Sequence, residues 1–419
     1  MTSPPLTVDS VRRRFLIMRG LRWLPTGFLI PVIVLLVLER GLSIGQLGLV
    51  FAAQGFVVLV LELPTGGLAD AVGRRRVLLV AAGFDLAAVA LLVVADTPLL
   101  LVAVFALQGV YRSLESGPLD AWYVDTARAL DPNANIEAGF SASGAVTGVA
   151  LSLGSVAASV LVATDPIAGV DALVIPVLAA VVLRSADVIA VVALMREESR
   201  IKGDTGLRTA VAKVPALVAN ALGTVRASRV LIALVVAEFL WGIGMTAVEA
   251  LTPAKLGDVL DDFEQAAAVL GPTNAVAFLV AGGGAAAVPL LTRRRSSGTV
   301  GAWLRVAQAA TVLGIALAGG PAAVVGLYVL TMGVHGASDP VHQGLLHRGI
   351  VSGDSRATIV SANSLTAQTG FMLGSLLLGL LADGTSLNVA IATGAVIMAV
   401  GAPLYLVAGR SQAEPSESV

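Results

Sequence analysis

The stretch Glu62–Leu79, ELPTGGLADAVGRRRVLL, joins one long apolar run of the chain to the next. It passes through a glycine-rich turn and leaves through three consecutive arginines, Arg74–Arg76. A continuous membrane helix would bury these charges, so the stretch predicts a short loop at a membrane face. Short loops rich in arginine stay on the cytoplasmic side, which predicts the orientation of the neighbouring spans.

The composition of the 419 residues is typical of a polytopic membrane protein. Hydrophobic residues make up 56% and charged residues 13% of the chain, whereas soluble proteins carry about 25% charged residues. At roughly 20 apolar residues per helical span, the chain has room for about a dozen spans. The absence of cysteine excludes disulfides, thiolate metal sites and a cysteine nucleophile. The arginines are scattered among loops rather than gathered on one domain, which argues against nucleic-acid binding.

The apolar runs form two sets of six, separated by the longest polar stretch of the chain. This layout predicts an all-α membrane protein with twelve transmembrane helices in two six-helix halves. The first half is predicted over residues 1–195, a cytoplasmic central loop over 196–229, and the second half with a short polar tail over 230–419. Within the central loop, Leu207–Val225 is expected to form an amphipathic helix at the membrane surface.

The basic residues predict which membrane face each loop occupies. Arginine triplets recur on one face, at Arg12–Arg14, Arg74–Arg76 and Arg293–Arg295, whereas Arg40 and Lys255 are assigned to the opposite face. Because basic residues are enriched in cytoplasmic loops, both termini are expected in the cytoplasm. The expected location is therefore the cell (inner or plasma) membrane, crossed several times.

The run Gly66–Arg75, GGLADAVGRR, resembles the loop 2–3 signature of the major facilitator superfamily, G-x-L-A-D-R-x-G-R-K/R. It lies between the second and third spans, where that family carries it, and the twelve-span layout agrees. Ala71 stands where the family has a basic residue. Phe105 stands where the span 4 signature, R-x-x-Q-G, has its arginine. The segments Glu62–Thr65 and Ser116–Trp122 resemble the bacterial drug- and metabolite-exporter branches of the family.

The loop also predicts a cytoplasmic latch, meaning a set of contacts that holds one conformation and releases in another. Glycines allow a tight turn, a carboxylate is favourable near a helix N-terminus, and arginines can reach acidic groups at neighbouring helix ends. The alternative is that the arginines are only topology anchors that face lipid phosphates. The predicted latch residues are Gly66, Asp70, Gly73, Arg74, Arg75 and Asp125.

Ionisable residues inside the spans are costly and usually face a cavity or a partner, which makes them candidate site residues. The family geometry implied by the resemblance places the substrate site at mid-membrane, lined by spans 1, 4, 7 and 10. The candidates for substrate binding or proton coupling in these spans are Arg22, Arg112, Glu115, Glu238, Trp241 and Asp339.

Each candidate has an alternative structural role. Arg22 could form a helix-packing salt bridge, Arg112 could simply neutralise Glu115, and Glu238 could be neutral beside a packing Trp241. In span 6, Arg184 and Asp187 are three residues apart and are expected to pair with each other. In span 10, His335, Asp339 and His342 share one face, which suits a kinked, partly hydrated helix or a proton relay better than a metal site.

Together these patterns predict an alternating-access secondary transporter and not an enzyme. The predicted activity is proton-coupled efflux, by antiport, of a hydrophobic drug-like or secondary-metabolite molecule, with a role in drug resistance. Protonation of Glu115 or Glu238 would supply the coupling. The expected partners are a small-molecule substrate, protons and membrane lipid, with no metal or other cofactor, no nucleic acid and a monomeric state. The alternatives are uptake of a small metabolite or sugar, and a non-transporting sensor or scaffold.

Overall fold

The computed structural model describes residues 6–65, 68–196, 223–350 and 356–410, apart from the side chains of residues 63, 64, 70, 71, 356–358 and 410. Within these ranges, twelve helical segments are long and apolar enough to cross a membrane, which confirms the predicted all-α fold. We number them spans 1 to 12: Val8–Glu39, Ile44–Glu62, Arg74–Val94, Pro98–Leu130, Ile136–Thr164, Ile175–Leu194, Arg229–Leu260, Phe263–Thr292, Ser297–Leu317, Pro321–Gly349, Ile359–Gly384 and Leu387–Gly409.

Four spans consist of more than one helix. They are span 1 (Val8–Leu29 and Ile33–Glu39), span 4 (Pro98–Glu115 and Pro118–Leu130), span 7 (Arg229–Thr246, a π-helical turn Ala247–Leu251, and Thr252–Leu260) and span 12 (Leu387–Val400 and Ala402–Arg410). Span 2 belongs to the helix Ile44–Thr65 and span 11 to the helix Arg356–Gly384, and the short helix Leu68–Val72 precedes span 3. Pro31 lies in the interruption of span 1, as expected for a residue that cannot donate a backbone hydrogen bond.

The helix ends follow from the local sequence. Side chains of Ser, Thr, Asn and Asp accept hydrogen bonds from the first-turn amides, which would otherwise lack partners. These N-caps are Thr7, Thr97, Asn135, Ser228, Asp262, Ser296 and Ser386. Large apolar side chains lie on the outside, with Leu99, Leu279 and Leu317 at least 75% exposed. Such a surface requires lipid rather than water around it.

Span 4 differs from the prediction. The sequence predicts that the helix ends near Ala121 and that a polar connection begins at Asp125. Instead, a break at Ser116–Gly117 is followed by a second helix, Pro118–Leu130, which contains Asp125. Gly117 has φ +93°, a conformation that glycine adopts readily, and Pro118 suits the first turn of the new helix.

The chain divides into two compact units. Unit 1 comprises Met1–Leu36, Val60–Lys213 and Ala267–Pro272, and unit 2 comprises Val37–Leu59, Val214–Ala266 and Thr273–Val419. The segment Val37–Leu59 belongs to unit 2 because it packs on span 11, where the Ser43 hydroxyl donates to Asp383 at 2.6 Å. The predicted boundaries at residues 195 and 230 stay a prediction. Most of the predicted central loop, including residues 207–222 of its amphipathic helix, lies outside the described residues.

Each unit brings two of its spans together through a pair of glycines. In unit 1, a Cβ added to Gly27 of span 1 would lie 3.0 Å from the Cα of Gly154 of span 5. In unit 2, a Cβ added to Gly370 of span 11 would lie 3.2 Å from the Cα of Gly242 of span 7. Small residues allow such close backbone approach between membrane helices. The first and fifth spans of each half therefore pack in the same way.

Candidate functional site

Unit 1 buries a group of charged side chains that we call the unit 1 charge cluster. Its members come from spans 1, 3, 4 and 6: Arg22, Asp85, Glu115, Arg184 and Asp187. Arg22, Asp85 and Asp187 are 1–2% exposed. Charges at this depth are stable only when they are paired and hydrogen-bonded.

Both arginines of this cluster have carboxylate partners. Arg22 lies 3.5 Å from Glu115 through Nη1 and 3.5 Å from Asp187 through Nη2. Arg184 contacts Asp85 at 2.6 Å through Nε and donates to the carbonyl oxygen of Arg22 at 2.7 Å. Its Nη2 also donates to the hydroxyl of Thr26 at 2.9 Å. Each guanidinium group is thus held by partners on two other spans, Arg22 by spans 4 and 6 and Arg184 by spans 1 and 3.

One predicted pairing is wrong, and one alternative pairing is absent from the described residues. Arg184 and Asp187 do not pair with each other, since Arg184 contacts Asp85 and Asp187 contacts Arg22. Glu115 likewise pairs with Arg22, while Arg112 lies on an exposed face of span 4. Neighbouring helices in a bundle pack about 8–10 Å apart. A charged side chain can therefore pair with a residue on another span instead of with a residue on the next turn of its own helix.

Unit 2 buries a different group, the unit 2 polar cluster, in spans 7, 9, 10, 11 and 12. Its members are Glu238, Trp241, Arg305, Gln308, His335, His342, Asn363 and Tyr405. The predicted candidates Glu238 and Trp241 both belong to it. Asp339, the third candidate in these spans, is exposed. It interacts electrostatically with His335 but, within the described residues, makes no hydrogen bond or ion pair with His335 or His342.

A chain of polar contacts crosses this cluster. Nη2 of Arg305 donates to the hydroxyl of Tyr405 at 2.8 Å, and that hydroxyl lies 2.9 Å from Nδ1 of His342. Nε2 of His342 lies 3.4 Å from a carboxylate oxygen of Glu238 and 3.3 Å from Oδ1 of Asn363. The contacts link span 9 to span 7 through spans 12 and 10.

Aromatic contacts complete the unit 2 polar cluster. The rings of Trp241 and His335 are stacked, with centroids 5.4 Å apart and planes inclined by 12°. The guanidinium carbon of Arg305 lies 5.8 Å from the centroid of the Trp241 ring and 5.5 Å from that of Tyr405. These distances are typical of cation–π interactions.

Arg305, a buried arginine of unit 2, is not among the site residues predicted from the sequence. The side chain is 2% exposed. The signal was available, since an arginine interrupts the apolar run of span 9 and Gln308 follows three residues later on the same face. Span 9 is not among the spans that the family resemblance assigns to the substrate site, so Arg305 was not predicted as a site residue.

The predicted cytoplasmic latch is partly described. Arg74 contacts Asp125 at 2.6 Å, and Arg75 donates to the carbonyl oxygen of Val192 at 2.7 Å. Gly73 has φ +102° and separates the short helix Leu68–Val72 from span 3. Gly66 and the side chain of Asp70 lie outside the described residues. The structure thus brings the predicted partners Arg74 and Asp125 together, whereas their role as a latch stays a prediction.

A second ion pair lies close to this one. Arg19 of span 1 pairs with Asp120 of the helix Pro118–Leu130.

The sequence model of the Major Facilitator Superfamily matches residues 15–348. No curated protein matches the sequence significantly.

Solved structures of several transporters are similar to this chain. The nucleoside transporter NupG has a TM-score of 0.72 and 14% identity, covering 96% of this chain and 98% of its own. A bacterial homologue of the iron transporter ferroportin, in an inward-facing state, has a TM-score of 0.73 and 16% identity over 96% of this chain and 100% of its own. A bacterial homologue of the human lysosomal transporter Spinster has a TM-score of 0.72 and 14% identity over 99% of this chain and 100% of its own. At these identities the likeness shows the fold alone.

Proposed function

Because the chain belongs to the major facilitator superfamily, we propose that it is a proton-coupled secondary transporter that exports a hydrophobic drug-like or secondary-metabolite molecule. The family match confirms the resemblance of Gly66–Arg75 and the prediction of a multi-pass membrane transporter of small molecules rather than an enzyme. Efflux, coupling to protons and the substrate class are our proposals. We also propose that both termini lie in the cytoplasm, because the arginine triplets are assigned to that face.

The observation that carries the proposal of proton coupling is the contact between Glu238 and His342. A carboxylate and an imidazole 3.4 Å apart, in a nearly buried setting, can exchange a proton or share one. The Glu238 side chain is 12% exposed, which leaves it a route to water. Proton-coupled transport requires such a group, buried enough for its charge to matter and accessible enough to be reached.

The hydrogen-bond partners favour one tautomer of neutral His342. A guanidinium group only donates, so the Tyr405 oxygen accepts from Arg305 and the Tyr405 proton is directed at His342. Nδ1 of His342 is then the acceptor, and the imidazole proton is on Nε2, facing Glu238 and Asn363. The chain Arg305–Tyr405–His342–Glu238 is therefore polarised in one direction.

Adding a proton to this chain changes the charge of the cluster. With Arg305 cationic, Glu238 anionic and His342 neutral, the three groups sum to zero, and protonation of Glu238 or His342 raises the sum to one. Two other titratable groups lie nearby on span 10, the stacked His335 and the exposed Asp339. Conformations that differ in hydration of this cluster are stabilised differently by its two charge states, which is how a proton can drive alternating access.

The test is transport by proteoliposomes that contain the full-length protein and a trapped pH-sensitive dye. A panel of labelled aromatic compounds, anionic, neutral and cationic, is offered with the pH gradient imposed in either direction. We expect that Glu238→Gln and Glu115→Gln abolish gradient-driven flux, because neither amide titrates. Glu137→Gln, which removes an exposed carboxylate at the start of span 5, is the matched control and should retain it.

Full gradient-driven activity in both Glu238→Gln and Glu115→Gln would defeat the assignment. If the flux in wild-type vesicles did not depend on the pH gradient, the proposal of proton coupling would be rejected. The direction of the gradient that accelerates each compound separates export from import.

A second candidate, proton-driven uptake, is favoured by one observation. Arg305 contacts only uncharged hydrogen-bond partners, Gln308 and Tyr405. Protonation of Glu238 leaves the charge of Arg305 unbalanced, so the unit 2 polar cluster would bind a proton and an anion together. Co-binding of a proton and a substrate produces symport, and an inward proton gradient would then drive uptake.

A further inference from the structure

We propose that Arg305 and Trp241 form a binding site for a planar organic anion, such as an aromatic carboxylate. This inference names a substrate class for the unit 2 polar cluster and rests on the transport function proposed above. It starts from the two arginine environments in the molecule, which differ in whether the buried cation has a counter-ion.

Arg305 is a buried cation with no acidic partner. Among the residues that the structure describes, no carboxylate lies within ion-pair distance of its guanidinium group, and its hydrogen bonds go to the neutral groups of Gln308 and Tyr405. Burial of a charge is unfavourable unless an opposite charge or a metal compensates it. The cation–π contacts with Trp241 and Tyr405 offset only part of that cost. In the described part of the chain, Glu238 is connected to Arg305 only through Tyr405 and His342, so the local electrostatics favour an anion beside Arg305, most strongly when Glu238 is protonated.

Three nitrogen atoms in this place also lack hydrogen-bond partners within the described ranges. They are Nε of Arg305, Nε1 of Trp241 and Nδ1 of His335. The first two are obligatory donors, so the missing group is an acceptor. Unsatisfied buried donors are destabilising. Among the described residues, Nε of Arg22 and Nε of Arg184 also lack hydrogen bonds, but those arginines have carboxylate partners, so Arg305 and Trp241 are the donors that a ligand acceptor would satisfy. A carboxylate provides two acceptor oxygens and the negative charge in one group.

The surrounding rings indicate the rest of the ligand. Trp241 and His335 are stacked in parallel and both are only half-buried, so their ring edges are reachable from outside the cluster. A flat aromatic body packs well against such a pair through offset stacking. The combination of a planar apolar surface with one anionic acceptor is the chemistry of a benzoate or naphthoate rather than of a sugar or an alkyl amine.

The experiment measures binding to the full-length protein in detergent, by titration calorimetry and by thermal shift, with no gradient present. The probes are 2-naphthoate, its uncharged analogue 2-naphthamide and the non-planar cyclohexanecarboxylate. We expect wild-type protein to bind naphthoate about 10-fold more tightly than naphthamide, the ratio that a charge-assisted hydrogen bond provides. Cyclohexanecarboxylate should bind more weakly than naphthoate.

Variants locate the site. Arg305→Gln should remove the preference for naphthoate over naphthamide, and Trp241→Phe, which keeps an aromatic ring but loses the indole donor, should weaken naphthoate binding several-fold. Arg294→Gln removes the same charge from an exposed position and should bind as the wild type does. The comparison of naphthoate with naphthamide on wild-type protein remains decisive if a variant does not fold.

Equal binding of naphthoate and naphthamide by the wild type, no binding of either, or an undiminished preference in Arg305→Gln would each overturn the proposal. Its failure is distinguishable from failure of proton coupling, which is read from gradient-driven flux in Glu238→Gln. Naphthoate binding that requires Arg305, together with full flux in Glu238→Gln, would retain the anion site and reject the coupling residue.

Discussion

The two units bury polar side chains in corresponding spans but neutralise them in different ways. Spans 1, 3, 4 and 6 supply the unit 1 charge cluster, and spans 7, 9, 10 and 12, their counterparts after six spans, supply most of the unit 2 polar cluster. In the unit 1 charge cluster, two arginines contact three carboxylates. In unit 2 one arginine contacts an amide and a phenol.

This difference teaches how each cluster holds its buried arginines. Arg22 and Arg184 are held by ionised partners on other spans. Removal of any one partner leaves a buried charge without a compensating charge, which is unfavourable. Around Arg305 the partners are dipoles that can reorient at lower cost. The unit 1 charge cluster is thus held by ion pairs, whereas Arg305 in the unit 2 polar cluster is held by neutral dipoles.

The largest expected effect is on stability when an arginine is removed from each unit. Arg184→Gln leaves Asp85 buried without its partner and should lower the free energy of unfolding by about 3–5 kcal/mol. Arg305→Gln removes a charge that has no counter-ion and should cost less than about 1 kcal/mol in the ligand-free protein. Unfolding in mixed micelles measures both, with the exposed-site variant Asp96→Asn as control. Equal losses in the two arginine variants would break the comparison.

A smaller effect should be the same in both units, because the glycine contacts are alike. Gly27→Val and Gly242→Val each insert a side chain where two backbones touch, and each should destabilise the protein by about 1–3 kcal/mol. Gly83 and Gly283 have open space at the position of a Cβ, so valine there serves as the control in each unit. If the Gly27 and Gly242 variants differed widely, the repeat would not extend to helix packing. The measurement is again unfolding in mixed micelles.

The smallest effect concerns the cytoplasmic ends. The Asp125 side chain is 66% exposed, so its pair with Arg74 should contribute less than about 1 kcal/mol, or about a fivefold change in a conformational equilibrium. Asp125→Asn should therefore change the labelling rate of single cysteines placed in the spans while leaving stability nearly unaffected. The chain has no cysteine of its own, which removes any background.

The same labelling assay compares Arg293 of unit 2 with the Arg74–Asp125 pair of unit 1. Within the described residues, Arg293 makes no ion pair, so Arg293→Gln should leave labelling unchanged. Identical labelling in Asp125→Asn and wild type would remove the support for a latch in unit 1.

The fold could be predicted from the sequence because it depends on local signals. Apolar length defines a span, and the arginines of loops define its orientation, as Arg74–Arg76 illustrate. The sequence also indicated Glu238 and Arg22 as buried charges, because a single ionisable residue in an apolar run is conspicuous.

The pairings could not be predicted in the same way. The partner of Arg184 is Asp85, which lies 99 positions away in the chain (184 minus 85), whereas the nearby Asp187 turns to Arg22. Spacing along one helix specifies a face but not which neighbouring helix that face meets. The apolar run of span 9 indicates that Arg305 is buried, but its partners on spans 7 and 12 follow from packing between spans.

The break at Ser116–Gly117 has a mechanical consequence. The helix Pro118–Leu130, about 20 Å long at 1.5 Å per residue, is a rigid arm pinned at Asp120 to span 1 and at Asp125 to span 3. Glu115 lies on the other side of the joint and is pinned to Arg22. Rotation about the backbone of Gly117 can move this helix without moving Glu115. We therefore expect the ion pairs of Asp120 and Asp125 and the ion pair of Glu115 to break in two steps with separate rates.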